Sequence, residues 1–203
     1  MSPTDPAPAA LERAAAVLLA GGLVVFPTDT LYGLAADPRD PDAVGRVFGV
    51  KGRAAGRPLP LVAAGLEQVE RSLGRLSPLT RRLADRFWPG PLTLLVEVGD
   101  AVAAAVAGES ATVAVRVPGH AVARGLAAAL GYPVVSTSAN RSGGAAPTTA
   151  DEALASLGEP VDLVLDAGAA PGGLPSTIVD ARGAAPRLVR AGAIPFADVR
   201  EAV

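Results

Sequence analysis

The sequence predicts a mixed α/β fold, a twisted mixed sheet flanked by helices. Short apolar runs of strand length, rich in β-branched residues, alternate with segments of helical periodicity. Three such runs fall close together late in the chain, which points to a mixed sheet rather than a purely parallel one. No internal repeat and no linker-like break interrupts the 203 residues. The chain therefore reads as one domain over residues 1–203, with the first ten or so outside its packed body.

Residues 11–20 have the apolar spacing of an amphipathic helix, stopped by Gly21-Gly22. Residues 23–26, closed by Pro27, form a buried strand. A short helix follows over 42–48, with Asp40 or Asp42 as its cap. Residues 58–64 read as a strand, 79–87 as a helix stopped by Pro89-Gly90-Pro91, and 92–98 and 112–117 as strands. A helix over 121–130 ends at Gly131 and leads into a strand over 133–136. Residues 137–149 are a polar loop, and 151–157 a helix that Thr149 caps. The late strands are 163–166, 177–180 and 187–189, before a short helix from Phe196.

Composition narrows the function classes. The chain has no cysteine, which rules out a disulfide framework and a thiolate zinc site. His120 is the only histidine, so a multi-histidine metal centre or a Ser-His-Asp triad has little material, and no metal-ligating set is read. A formal net charge of −2 does not advertise a nucleic-acid binder. No apolar run approaches the ~20 residues of a membrane span, and residues 1–10 lack the basic and apolar segments of a signal peptide. The expected location is cytoplasmic, away from the membrane. Lys51 is the only lysine in a chain otherwise using arginine, which marks a position wanting a compact ammonium.

Polar clusters lie at the predicted strand ends, where open α/β sheets place ligands. Residues 27–34, Pro-Thr-Asp-Thr-Leu-Tyr-Gly-Leu, fit either a holder for a small polar substrate or an ordinary turn. Lys51-Gly52-Arg53, with Arg57 close behind, fits a polyanion such as a triphosphate or a solvated basic loop. Residues 136–143, Ser-Thr-Ser-Ala-Asn-Arg-Ser-Gly, can cradle phosphate oxygens or form a polar surface loop. Thr112, Arg116, Ser176 and Arg190 are scattered polar positions beside strands. There is no Walker loop and no dinucleotide fingerprint. Nothing offers an activated nucleophile, so the inventory suits positioning and charge neutralisation.

These clusters, in this order, resemble the threonylcarbamoyl-AMP synthase family, the YrdC/TsaC-like proteins. The likeness runs from about Leu11 to Val199. Its signatures include residues 27–34, Lys51-x-Arg53, Phe87-Trp88-Pro89-Gly90-Pro91-Leu92-Thr93 and Val113-Ala114-Val115-Arg116-Val117-Pro118. Ser138-Ala139-Asn140-x-Ser142-Gly143, Ser176-Thr177-Ile178-Val179-Asp180 and Arg190 complete the series.

The resemblance implies a twisted α/β fold around a large basic concavity, in its single-domain form. It implies an enzyme that combines L-threonine, bicarbonate and ATP into threonylcarbamoyl-AMP and pyrophosphate for tRNA modification, with Mg²⁺. Position by position, Thr28, Arg116, Ser136 and Ser176 would hold threonine. Lys51, Arg53, Thr112, Ser138, Asn140 and Arg190 would hold ATP, with Lys51 and Arg53 as catalytic cations. It further implies contact with tRNA or double-stranded RNA and with downstream threonylcarbamoyl-transfer proteins. The sequence departs from the pattern where the family's histidine is Val62 and where Arg-Pro-Gly is Arg190-Ala191-Gly192. His120 is expected to pack or hydrogen-bond. Two other readings stand beside this one, a non-catalytic RNA-binding module and a related adenylate-forming enzyme using another amino acid or carbamoyl donor.

Overall fold

The computed structural model describes residues 8–52, 58–98, 104–107, 111–158 and 160–203. Strands and helices alternate as expected, but the strands form two mixed sheets instead of one. The first sheet is built on a hairpin of β1 (Val24–Pro27) and β2 (Tyr32–Ala35), with every residue of both strands buried. β7 (Thr137–Ser138) pairs antiparallel with β2, and β8 (Leu163–Val164) pairs parallel with β1. The second sheet contains β3 (Leu61–Val62), β4 (Leu92–Glu97), β5 (Thr112–Arg116), β6 (Val134–Val135), β9 (Thr177–Asp180) and β10 (Arg187–Arg190). Its order is β10-β9-β4-β5-β3-β6.

One residue explains the split. β6 and β7 are separated only by Ser136, whose N–H donates to the Pro60 carbonyl at 2.8 Å. On one side of Ser136 the chain pairs with β3, and on the other side with β2. The polar run after the predicted strand thus carries the chain from one sheet to the other, and both sheet edges meet there.

Helices cover the outer faces. α1 (Pro8–Leu19) places Ala14, Ala15 and Leu18 against Val122, Ala123 and Leu126 of α6 (Ala121–Leu130). Pro8, Ala9 and Ala10 belong to α1, so the helix starts earlier than residue 11, where the sequence places it. Gly21 takes the left-handed conformation (φ 78°) after the last turn. α2 (Pro41–Lys51) is capped by Asp40, whose carboxylate accepts from the N–H groups of Asp42 and Ala43. His120 caps α6 by accepting from Val122 N–H at 3.2 Å, in line with the hydrogen-bonding role expected of it. α4 (Pro78–Phe87) starts at Ser77, and α7 (Ala150–Leu157) carries a capping box between Thr149 and Glu152. α3 (Leu66–Leu73), the one-turn α5 (Ala104–Ala107) and α8 (Phe196–Glu201) complete the set. Among the described residues, no helix is long and apolar enough to cross a membrane.

The exit from β10 folds tightly onto the entry to β9. A methyl on Gly192 would land on the carbonyl of Pro175 and within 2.5 Å of the Ser176 and Thr177 backbone. Backbone atoms cannot move aside as a flexible side chain can. Gly192→Ala is therefore expected to destabilise by about 2 kcal/mol or more, at the upper end of ordinary point substitutions, as read by urea denaturation.

At the other end of the second sheet, Asp180 accepts from Arg182 Nε and Nη2 at 2.8 and 2.9 Å and from Arg187 Nη2 at 3.0 Å. The hydrogen bonds from Arg182 are the main cause that holds the Asp180 carboxyl well below the usual carboxylate range. A depressed folded-state value means stability present above the unfolded carboxyl value and lost as pH falls through the folded one. The urea midpoint of the wild type should therefore fall more steeply than that of Asp180→Asn as pH drops below about 4. Parallel curves would remove this network from the acid response.

Candidate active site

A cleft of about 940 Å³ opens where the two sheets meet. Its floor is the β1–β2 hairpin, the sheet-crossing strand and the ends of β3, β4, β5 and β9. At the hairpin turn, Thr28 is 4% exposed. Its hydroxyl donates to the Leu31 carbonyl at 2.7 Å and accepts from the N–H groups of Thr30 and Leu31, both at 3.2 Å. The turn reading of this segment is met, and the hydroxyl that builds the turn also lines the cleft. Gly33 lies under the floor, where an added methyl would meet Phe26 at 3.0 Å and Ser136 Oγ at 3.3 Å.

Lys51 ends α2 and is only 4% exposed. Its ammonium donates to the carbonyls of Ser138 and Asn140, at 2.5 and 2.8 Å, and its own carbonyl accepts from Ser142 N–H. The lone lysine thus clamps the polar loop that follows β7. A guanidinium is wider and planar, so it would not reproduce this pair of bonds from a compact point charge. Within the loop, Asn140 donates both Nδ2 hydrogens, to Arg141 and Gly144 carbonyls at 3.0 and 2.7 Å. That fixes the orientation of the amide, and its Oδ1 is buried with no hydrogen-bond partner among the described residues.

Arg116 ends β5, beside Val62 of β3 in register. It is 6% exposed and its Nη2 donates to Asp29 Oδ1 at 2.8 Å. Burial pulls the Arg116 guanidinium below its ordinary value; Asp29 opposes that shift and Arg190 adds to it. Arg190, at the end of β10, donates from Nη2 to the Ser176 carbonyl at 2.7 Å and to Ser176 Oγ at 3.2 Å. Burial lowers its value too, because the cleft walls surround a side chain that solvent still reaches. Ser176 Oγ also shares a 2.8 Å hydrogen bond with Thr93 Oγ1. Tyr32 lies fully buried under the floor, with burial pushing its phenol up to about 12, so it stays neutral and hydrogen-bonded to Asp166 and Gly168.

Of the residues singled out in the sequence, Thr28, Lys51, Arg116, Ser136, Ser138, Asn140, Ser176 and Arg190 all line this cleft. Arg53 and Arg57 lie outside the described residues. Thr112 does not line the cleft. It sits at the opposite end of β5 from Arg116, ~13 Å of strand away, and its hydroxyl accepts from Arg182 Nη1 at 2.9 Å. Asp29, within the 27–34 segment read as a substrate holder, is ion-paired with Arg116 and is not among the described lining residues. Thr93 and Thr148 line the cleft without having been assigned a site role, and Val62, noted from sequence as replacing the family's histidine, lines it too. Thr93 sits in the Pro-Gly-Pro-Leu-Thr segment at the start of β4, which is the one signal that could have found it.

The family model for Sua5/YciO/YrdC proteins, described as "Telomere recombination", matches residues 16–192. The chain belongs to the Sua5/YciO/YrdC family. Among its family relatives is the threonylcarbamoyl-AMP synthase of Pyrococcus abyssi, 37% identical over 193 residues, which cover 95% of this chain and 57% of that protein. The threonylcarbamoyl-AMP synthase of Bacillus subtilis is 36% identical, with 96% of this chain and 56% of that protein covered. The chain thus spans little more than half the length of these two relatives. The crystal structure of P. abyssi Sua5 complexed with L-threonine superposes with a TM-score of 0.89 at 36% identity, over 95% of this chain and 57% of that one.

Proposed function

We propose that this chain makes threonylcarbamoyl-AMP and pyrophosphate from L-threonine, bicarbonate and ATP, as an activated intermediate for tRNA modification. One observation carries the reading. The polyanion-type cluster at Lys51, Asn140 and Arg190 and the carboxylate-type cluster at Arg116 and Ser176 open onto the same cleft. Its family membership, and the synthase and threonine-complex relatives, support the choice of substrates.

Arg116 would take the amino acid's carboxylate through its planar fork, with Thr28, Ser136 and Ser176 around the rest of the molecule. Lys51, Arg53, Ser138, Asn140 and Arg190 would hold the nucleotide. The amine forms a carbamate with CO₂ or bicarbonate, and a carbamate oxygen attacks the α-phosphorus as pyrophosphate leaves. The cations offset charge on the α-phosphoryl and departing groups, and the walls align the reactants.

A magnesium ion fits the donor set. Among the described residues, no group of three or more His, Asp or Glu side chains gathers as a metal site. Phosphate oxygens and water would therefore supply most ligands, as is usual for this ion. The outstanding Asn140 Oδ1 is a hard oxygen donor of the right kind and would supply the protein's ligand. Bound there, the ion would neutralise phosphate charge.

The test is pyrophosphate release from ATP with bicarbonate, with each amino acid supplied in turn. Stimulation by threonine is the expected result. Stimulation by another amino acid alone would move the specificity to the apolar wall at Val62, and none at all would sink the reading.

A further inference from the structure

The described lining of the cleft carries Lys51, Arg116 and Arg190 and no carboxylate. The acidic groups nearest to it are turned to other partners. Asp29 is ion-paired with Arg116, Asp166 accepts from the Tyr32 phenol, and Glu152 accepts from Thr148. In sequence, the stretch 53–57, outside the described residues, contains two arginines and no acid. Nor does the described lining offer a base. His120 caps α6, Tyr32 is neutral, and the remaining polar side chains are hydroxyls and one amide.

An amino acid entering as a zwitterion is therefore matched on one side only. Its carboxylate meets Arg116, flanked by Arg190. Its ammonium meets dipoles and like charges, which favour the neutral form. Carbamate formation needs that neutral form, because the nitrogen lone pair makes the new C–N bond.

We propose that the cleft removes the proton from the bound amino acid by charge alone, with Arg116 and Arg190 doing what a protein base would otherwise do. The inference rests on the function proposed above and concerns the complex formed before ATP enters. The step is balanced: the ammonium loses H⁺ to solvent, and the amine adds to the carbon of CO₂ and loses a second proton. Starting from bicarbonate, ammonium plus HCO₃⁻ gives carbamate, water and H⁺.

Calorimetry of L-threonine binding to the full chain at pH 8, in buffers of different ionisation enthalpy, tests this. The expected result is release of about half a proton or more per threonine bound, since a lowered amine value moves the bound ligand across this pH. Enthalpies that do not depend on the buffer would overturn the proposal while leaving the function standing. Failure to bind threonine would sink the function itself.

Two controls assign the proton. 2,3-Dihydroxybutanoate, which has no amine, should bind without release; equal release would place the proton on the protein and overturn the proposal. Arg190→Met should bind threonine with less release, and unchanged release would remove Arg190 from it. If that variant fails to fold, the nitrogen shift of ¹⁵N-threonine followed against pH in the wild-type complex gives the bound amine's value directly. A value no lower than that of free threonine would contradict the proposal.

Discussion

Lys51→Met is expected to lower pyrophosphate release by ~10²–10³-fold, the loss typical of removing one preorganised charge from a reacting centre. The ammonium is buried and holds two carbonyls of the phosphate-side loop, so its removal acts twice. It deletes a cation, and it lets go the segment that presents Ser138 and Asn140 to the cleft. The Ser138 carbonyl keeps the Asn140 N–H as a donor, but the Asn140 carbonyl loses Lys51; leaving a buried carbonyl without its donor costs about 1–3 kcal/mol, so the urea midpoint should fall as well. Activity should still fall further than stability accounts for. Lys51→Arg should not restore it, because a guanidinium is too wide for the pocket between the two carbonyls. Near-normal turnover in Lys51→Met would remove the residue from the mechanism.

The second large effect falls on the amino acid and not on the nucleotide. Arg116→Leu should raise the threonine KM by ~10²-fold or more, since truncating one member of a buried charge pair costs 2–5 kcal/mol or more. The KM for ATP should move much less. Part of the loss arises because Asp29 is left partly buried without its partner. Initial rates with threonine and ATP varied separately distinguish the two. Equal increases in both constants would show a collapsed cleft and contradict the assignment of Arg116 to the carboxylate.

The elements that came straight from the sequence are those whose local signals agree with their packing. α6 runs from a cap to a left-handed glycine with small and apolar residues at every position but Arg124, and β9 is a β-branched run bounded by polar residues. β2 was not predicted, because Tyr32 and Gly33 follow a polar turn and the strand is defined by pairing with β1, a partner no local window contains. α3 escaped because its apolar positions, Leu66, Val69 and Leu73, are embedded among polar residues, including the buried Gln68. The second sheet escaped for a related reason. A strand that changes partners at Ser136 looks in sequence like a strand followed by a loop.

The candidate site was legible to the extent that its residues are exceptions to the chain's habits, as with one lysine in an arginine-rich chain or an amide after a buried strand. Thr112 was misplaced because hydroxyl and guanidinium on one strand look like one site, whereas strand length separates their ends and Arg182 claims the hydroxyl. The partnership of Asp29 with Arg116 spans 87 residues. Only the fold brings these two residues together.

The most direct measurement is a crystal structure of the chain with L-threonine and a non-hydrolysable ATP analogue. The threonine carboxylate should lie within hydrogen-bond distance of the Arg116 guanidinium, and the triphosphate against the loop that Lys51 holds, both in the single cleft between the sheets. Threonine bound away from Arg116, or the two ligands in separate places, would contradict the account.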